Sequence, residues 1–362
     1  MLYRYLMMLF PGIFCYTSPG YGQVNISGRV VDEATGVAIS SASVYFNNTS
    51  IGFSTDETGK FHFTGLPILN TELVVSNVGY EILVFKFEAA TANGKYFLCK
   101  LRVKEQQLRE VLVLSDITKK RWLSIFKKNF LGVTEEADRS SMANLNEVYF
   151  TRGDNRQIFY AYCDTPLVIY NRLLGYTIYF QLLEFSFDEA TGRTYFYGLT
   201  RYETMGDKKR WNRHRREAYT GSNLHFYKAM LKNQLTESGF TLHQVKNVKS
   251  GFLSNEMMMA SPVTVAQIMS VDTANPKLYR ILVDGKLMVQ YNKDTPGKKY
   301  LQKKLMVTGS QPQGYRSFII SKKPFFLVDR NGIVVDPLSV EYSGFWTYEK
   351  AANLLPYDYV PE

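Results

Sequence analysis

Histidine and cysteine are scarce in this chain: four and three residues among 362. A zinc centre needs such donors to converge, commonly an H-x-x-E pair with a distant third ligand. The one such spelling is His214-Arg215-Arg216-Glu217. It lies among Lys208, Lys209, Arg210 and Arg213, and no histidine follows His243. That positive field opposes a divalent cation, so neither a metal nor a cofactor is expected. Cys15 falls in an N-terminal apolar run. Cys99 and Cys163 each sit in apolar surroundings, where buried free thiols are expected, although an oxidising compartment would permit a bridge.

No internal stretch reaches the ~18 uninterrupted apolar residues of a membrane-spanning helix. The nearest approach is at the start. Arg4 precedes the apolar run from Tyr5 to Phe10, which resumes from Ile13 to Cys15, and small polar residues fill Ser18 to Gln23. Pro11 and Gly12 break the run. This pattern is that of a secretory signal peptide over residues 1–23, with the mature chain beginning near Val24. Gly12-Ile13-Phe14-Cys15 fits a lipobox poorly. The expected location is periplasmic or outer-membrane-associated.

Aromatic residues, by contrast, are abundant, with 26 Tyr and 24 Phe. They favour half-buried sheet faces and supply real cores. The formal net charge is +10. It reads either as an ordinary solvated basic surface or as attraction to an anionic partner surface. Export argues against nucleic acid as that partner. The expected fold class is mostly β with some α.

Residues 24–103 read as short strands between turns such as Asp32 to Gly36 and Asp56 to Gly59. The pattern is Gly28-x-Val30-x-Asp32, Gly36, Ala42-x-Val44, Gly52, then Thr55-Asp56-x-x-Gly59-x-Phe61. It resembles the carboxypeptidase regulatory-like domain carried by many exported Bacteroidetes-type proteins. The resemblance implies a seven-strand-type β-sandwich with no catalytic role of its own. In that reading the glycines supply positive-φ turns, Asp56 caps its turn, and Val44 and Phe61 face the core.

Residues 104–130 read as a linker and a helix from Asp116. The helix carries Trp122, Ile125, Phe126 and Phe130 on one stripe and five cations elsewhere. It either caps the next domain or lies on a membrane surface. Residues 131–362 read as an antiparallel β-rich α+β domain. Strands crowd residues 145–205, with Arg152-Gly153-Asp154 as a turn. A basic helical segment covers 207–235. A hairpin is expected across Asp284-Gly285, a loop around 294–313, and a short helix and tail over 342–362. Phe130-Leu131-Gly132, Pro166 to Asn171 and Leu354-Leu355-Pro356 resemble an uncharacterised family that carries the same N-terminal domain. Asp272-Thr273-Ala274 resembles an O-glycosylation sequon of such bacteria.

The most site-like segment is Arg213-x-x-Arg216-x-x-Tyr219-x-Gly221-Ser222-x-x-His225. Arginine forks suit carboxylate or phosphate, and Ser222 can cap a helix whose N-terminus adds anion donors. These five residues, Arg213, Arg216, Tyr219, Ser222 and His225, are binding candidates. The favoured function is a non-catalytic envelope module for a protein or glycan partner. The alternative is a hydrolase with an unfamiliar site around Arg213, Arg216, Ser222 and His225, in which Ser222 and His225 suggest a nucleophile and base, although no carboxylate stands in sequence to orient the imidazole.

Overall fold

A computed structural model describes residues 24–66, 70–105, 114–153, 157–249, 256–294, 296–307 and 315–361. The signal segment, Asp154 and part of the linker at 106–113 lie outside them. The architecture is mostly β with some α, in several antiparallel sheets.

Residues 24–101 form seven strands: β1 (Val24–Asp32), β2 (Ser43–Phe46), β3 (Gly52–Ser54), β4 (Lys60–Leu66), β5 (Asn70–Ser76), β6 (Leu83–Glu88) and, after helix α1 (Ala89–Ala92), β7 (Tyr96–Leu101). They make two sheets, β4-β1-β7 and β3-β2-β5-β6. Alternation along β1 turns Val24, Ile26 and Val30 inward, onto Val44, Leu73 and Val75 of the facing sheet. Phe46 packs edge-to-face on Phe63 and Phe87. Asp56 caps its turn, accepting from the Thr58 and Lys60 N–H groups at 2.8 and 2.9 Å. Gly28 departs from the expected reason for glycine. It has no positive φ, but a Cβ there would meet the Phe97 carbonyl at 2.3 Å and the Phe61 ring at 2.4 Å. Close approach, not turn geometry, selects it.

The middle of the chain builds one six-stranded sheet under a helix. Helix α2 (Asp116–Leu131) starts at the Ser115 cap. After α3 (Glu135–Asp138) come β8 (Ser140–Met142), β9 (Tyr149–Arg152), β10 (Ile158–Tyr162), β11 (Leu167–Asn171), β12 (Tyr176–Asp188) and β13 (Thr194–Thr204). The order is β8-β11-β12-β10-β9, with β13 on the other edge of β12. The apolar stripe of α2 covers this sheet. Trp122, Phe126 and Phe130 are all fully buried. Trp122 stacks on Phe159 at 4.5 Å, Phe126 meets Phe185 at 4.7 Å and Phe130 meets Phe180 at 4.9 Å. The cations Lys119, Lys120, Arg121, Lys127 and Lys128 stay exposed. The stripe is therefore spent on the core and is not left for a membrane.

Helices α4 (Lys209–Tyr219), α5 (Asn223–Leu231) and α6 (Leu235–Ser238) lead to the last sheets. These contain β14 (Phe240–Lys249), β15 (Glu256–Pro262), then after α7 (Val265–Ile268) β16 (Met269–Val271), β17 (Leu278–Leu282) and β18 (Lys286–Tyr291). Helix α8 (Pro296–Val307) precedes β19 (Arg316–Ser321), β20 (Phe325–Asp329) and β21 (Val340–Gly344). The sheets are β15-β14-β18-β19-β21 and β16-β17-β20. Two expectations fail here. Asp284-Gly285 does not close a hairpin: β17 pairs with β16 and β20, whereas β18 pairs with β14 and β19. The turn carries the chain from one sheet to the other, so that Ile281 and Leu287 share one core. Either connection gives the same period-two burial, which is why the pattern alone misleads. The second concerns residues 294–313, expected as a loop. Pro296 instead opens a helix, where its missing N–H costs nothing.

The chain then returns to the middle sheet. Ala351, Ala352 and Leu355 join the core under α2. The Ala351 N–H donates to Phe130 O at 3.0 Å, and Asn171 Nδ2 donates to Ala352 O at 2.7 Å. Residues 122–224 with 351–355 form one core and 226–346 another. Cys99 and Cys163 are buried free thiols. Among the described residues, no helix is long and apolar enough to cross a membrane.

Truncating Phe126 to Ala should open a cavity under α2 and cost about 3–5 kcal/mol. Denaturant unfolding followed by circular dichroism would measure it; a loss under 1 kcal/mol would contradict this packing.

Candidate functional site

Helix α4 has two faces with different tasks. Trp211 and Tyr219 are buried, and the Trp211 indole N–H donates to Arg172 O at 3.1 Å. Gly175 lies against this indole at φ +69°. Arg215 lies on the same inward side. Its Nε donates to Leu174 O at 2.8 Å, and its Nη2 donates to Gly175 O at 3.1 Å and Thr204 Oγ1 at 3.2 Å. The guanidinium also sits 4.0 Å above the Tyr176 ring. A planar donor fork on an aromatic face is a rigid arrangement that a lysine could not reproduce.

Arg215, Asn212 and Tyr176 line a cleft of about 210 Å³ with Ser50, Asp358 and Tyr359. Three parts of the chain meet there: the N-terminal sandwich, the middle sheet with α4, and the C-terminal tail. The Asp358 carboxylate accepts from Ser50 N at 2.9 Å and also from Ser50 Oγ. Lys228 Nζ donates to Tyr359 O at 2.9 Å and steadies the tail. Clefts at such junctions are preferred ligand positions.

The five residues singled out in the sequence divide into two groups. Arg213 and Arg216 are exposed on the outer side of α4. Arg213 Nε lies 3.8 Å from Glu217 Oε1, and His214 Nδ1 lies 3.1 Å from Glu217 Oε2. No group of three or more metal-ligating side chains occurs among the described residues. Tyr219, Ser222 and His225 gather around Gly221. Ser222 caps α5: its Oγ accepts from the backbone N–H of His225 at 3.1 Å and donates to Tyr219 O at 2.7 Å. It does not bond the imidazole. His225 Nδ1 instead accepts from the Gly221 N–H at 3.0 Å, which leaves the proton of the neutral ring on Nε2. The ring packs on Tyr219 at 4.8 Å and Phe240 at 5.0 Å. Burial, with Lys293 and Lys298 adding to it, lowers its pKa to about 4.

The sequence reading missed the groups facing Gly221 from the other side. Lys298 of α8 is buried with its ammonium 3.5 Å from the Tyr291 ring centre and 4.5 Å from that of Tyr315. Burial lowers its pKa to about 7, against the pull of Glu349 and Asp294. Burial raises Glu349 to about 8 and also raises Glu136, whose Oε2 accepts from Asn353 Nδ2 at 2.8 Å. Lys298 lay in a segment read as loop, so no helical register pointed it inward. Arg215 was legible in principle. Counting α4 from its buried Trp211 puts residues 215 and 219 on the inward face and 213 and 216 outside.

Residues 26–113 match the family of the CarboxypepD_reg-like domain. The match takes in β1–β7 and stops short of α2. No curated protein matches the chain. Among solved structures, a putative carbohydrate binding protein from Bacteroides uniformis is 10% identical, with 41% of this chain and 52% of that chain covered and a TM-score of 0.19. The chain thus spans about half the length of that protein. A putative membrane-associated protein of unknown function from Bacteroides fragilis is 9% identical, with 89% and 93% covered and a TM-score of 0.18. A DUF3823 family protein from Bacteroides uniformis is 10% identical, with 76% and 92% covered and a TM-score of 0.15. Overlays this loose carry no argument about function.

Two outcomes test the Gly221 junction. Gly221 stands at φ +84°, and a Cβ would meet Lys298 Nζ at 2.8 Å and the Tyr291 ring at 3.0 Å. Gly221→Ala should cost about 1–3 kcal/mol in denaturant unfolding. His225 is neutral in the fold well below the ordinary imidazole pKa of 6.5. Its folded pKa is depressed, so its contribution to stability is present above pH 6.5 and is lost as pH falls toward about 4. His225→Gln should flatten the stability profile between those limits. Parallel profiles for the two proteins would disprove the assignment.

Proposed function

We propose that this chain, whose N-terminal module is a CarboxypepD_reg-like domain, is an exported envelope protein that binds a glycan partner without transforming it. The carrying observation is the junction cleft. Its lining sets the Tyr359 ring beside the polar heads of Asn212, Arg215 and Asp358, while Tyr176, capped by Arg215, forms the floor. An aromatic ring beside a set of hydrogen-bonding groups suits a sugar ring better than an apolar protein anchor. The cleft, about 210 Å³, is below the ~300–1,000 Å³ of drug-sized sites, so one saccharide unit is the fitting size. The signal-like residues 1–23 support export to the periplasm or the outer membrane. A hydrolytic reading has less support. Ser222 Oγ is engaged by backbone groups on both sides, and the imidazole of His225 is held by Gly221.

Calorimetric titration of the mature chain with saccharides released from the producing cell envelope tests this. Asn212→Ala should weaken binding about three- to tenfold, the worth of one hydrogen bond, and Tyr359→Ala should weaken it further. If no saccharide binds, or if the variants bind as wild type, the cleft is not the site.

A further inference from the structure

We infer that the outer face of the β4-β1-β7 sheet is a second surface, one that binds an acidic polysaccharide. The two faces of the N-terminal sandwich are used differently. The outer side of the β3-β2-β5-β6 sheet is covered: Tyr45 and Val74 pack with Leu199 of β13 in one apolar cluster. The outer side of the β4-β1-β7 sheet stays open to solvent, with Tyr96 61% and Leu98 53% exposed.

Strand register arranges this face in rungs. Lys60 is opposite Arg29 and Arg29 is opposite Leu98; His62 is opposite Ser27 and Ser27 is opposite Tyr96. Lys100, opposite Val31, begins the next rung. Rungs follow one another about 6.6–6.8 Å apart along the strands, and neighbours within a rung stand about 4.8 Å apart. Three cations and an exposed phenol ring therefore share one flat patch. No ion pair among the described residues involves Arg29, Lys60 or Lys100. Two acids near the patch are engaged: Glu33 pairs with Arg102 at 2.9 Å, and Asp56 accepts from Thr58 and Lys60 N–H groups, although its charge also lies near Lys60.

The chemistry of the patch selects the occupant. A sheet face presents side chains and no backbone donors, so an extended peptide would gain its main-chain bonds at an edge instead. A polymer with a carboxylate and a sugar ring in each repeat, the ring packing its C–H face on the phenol, satisfies both the cations and Tyr96. The surface is remote from the cleft in its residues and does not depend on it.

The test uses the full mature chain in biolayer interferometry at low salt. Polygalacturonate is the probe, and dextran, polyglutamate and phosphatidylglycerol vesicles are the comparisons. Wild type should bind polygalacturonate and not dextran. The double variant Lys60→Glu with Lys100→Glu should bind about tenfold more weakly, and the gap should narrow in 1 M salt. Tyr96→Ala should also lose affinity, whereas Asn212→Ala should bind as wild type. All these positions are at the surface, so unchanged melting curves would show that folding is intact. Wild-type binding by the charge-reversed protein would overturn the proposal. So would polyglutamate bound as tightly as polygalacturonate with no effect of Tyr96→Ala, and so would a preference for the vesicles.

Discussion

Four residues at one turn of the sandwich hold the N-terminal module to the rest of the protein. The Asn48 N–H donates to Thr200 O at 2.8 Å, and the Tyr202 N–H donates to Thr49 O at 3.0 Å. Asn47 Oδ1 accepts from the Thr200 N–H at 2.9 Å. Ser50 is held by Asp358, and Asn48 O accepts from the Tyr357 N–H at 2.8 Å. This segment runs along β13 as though it were one more short strand. Buried backbone groups demand such partners, so the contact fixes orientation as well as position. The junction cleft exists only because this docking brings Ser50 against the middle sheet and the tail. A sandwich on a free linker would share no lining with the middle sheet.

The opposite end of α4 is held by a different force. Around Gly221 the structure places a neutral imidazole, a lysine between aromatic rings and two carboxyls shifted upward by burial. Each group has moved toward its neutral form, which is how a protein keeps ionisable groups in a poorly solvated place. Perturbed groups often mark functional sites, but junctions between cores produce them too. Here they lie between the two C-terminal cores, and Trp346 Nε1 donates to Gly221 O at 3.0 Å across the same point.

Much of the architecture was legible because local signals agreed with one another. Turn residues spaced the strands of the sandwich, Ser222 announced a helix start, and the aromatic period of α2 named its buried face. What stayed hidden was non-local. Nothing near Gly28 in sequence shows that Phe61 and Phe97 crowd it. Asp284-Gly285 is a fair hairpin signal, and whether the strands pair or part depends on other strands, among them β14 and β20, more than 40 positions away. For the candidate site, the helix was legible, and so, by counting from Trp211, was the inward place of Arg215. Arg213 and Arg216 drew notice as a spaced pair, although Arg215, between them, is the arginine with carbonyl partners. The tail residues Asp358 and Tyr359 carry no motif at all.

The returning tail also bears on how the chain acquires its fold. Asn171 waits for Ala352, 181 positions later, to satisfy its side-chain amide. The six-stranded sheet and α2 can collapse early, but their core lacks a wall until residues 351–355 dock. Contacts this distant slow folding, and unfinished apolar surface invites association while the chain is incomplete. The middle of this protein should therefore be its most chaperone-dependent part. Its maturation would be limited by closure of a long loop, because the core of the sandwich is assembled within residues 24–101.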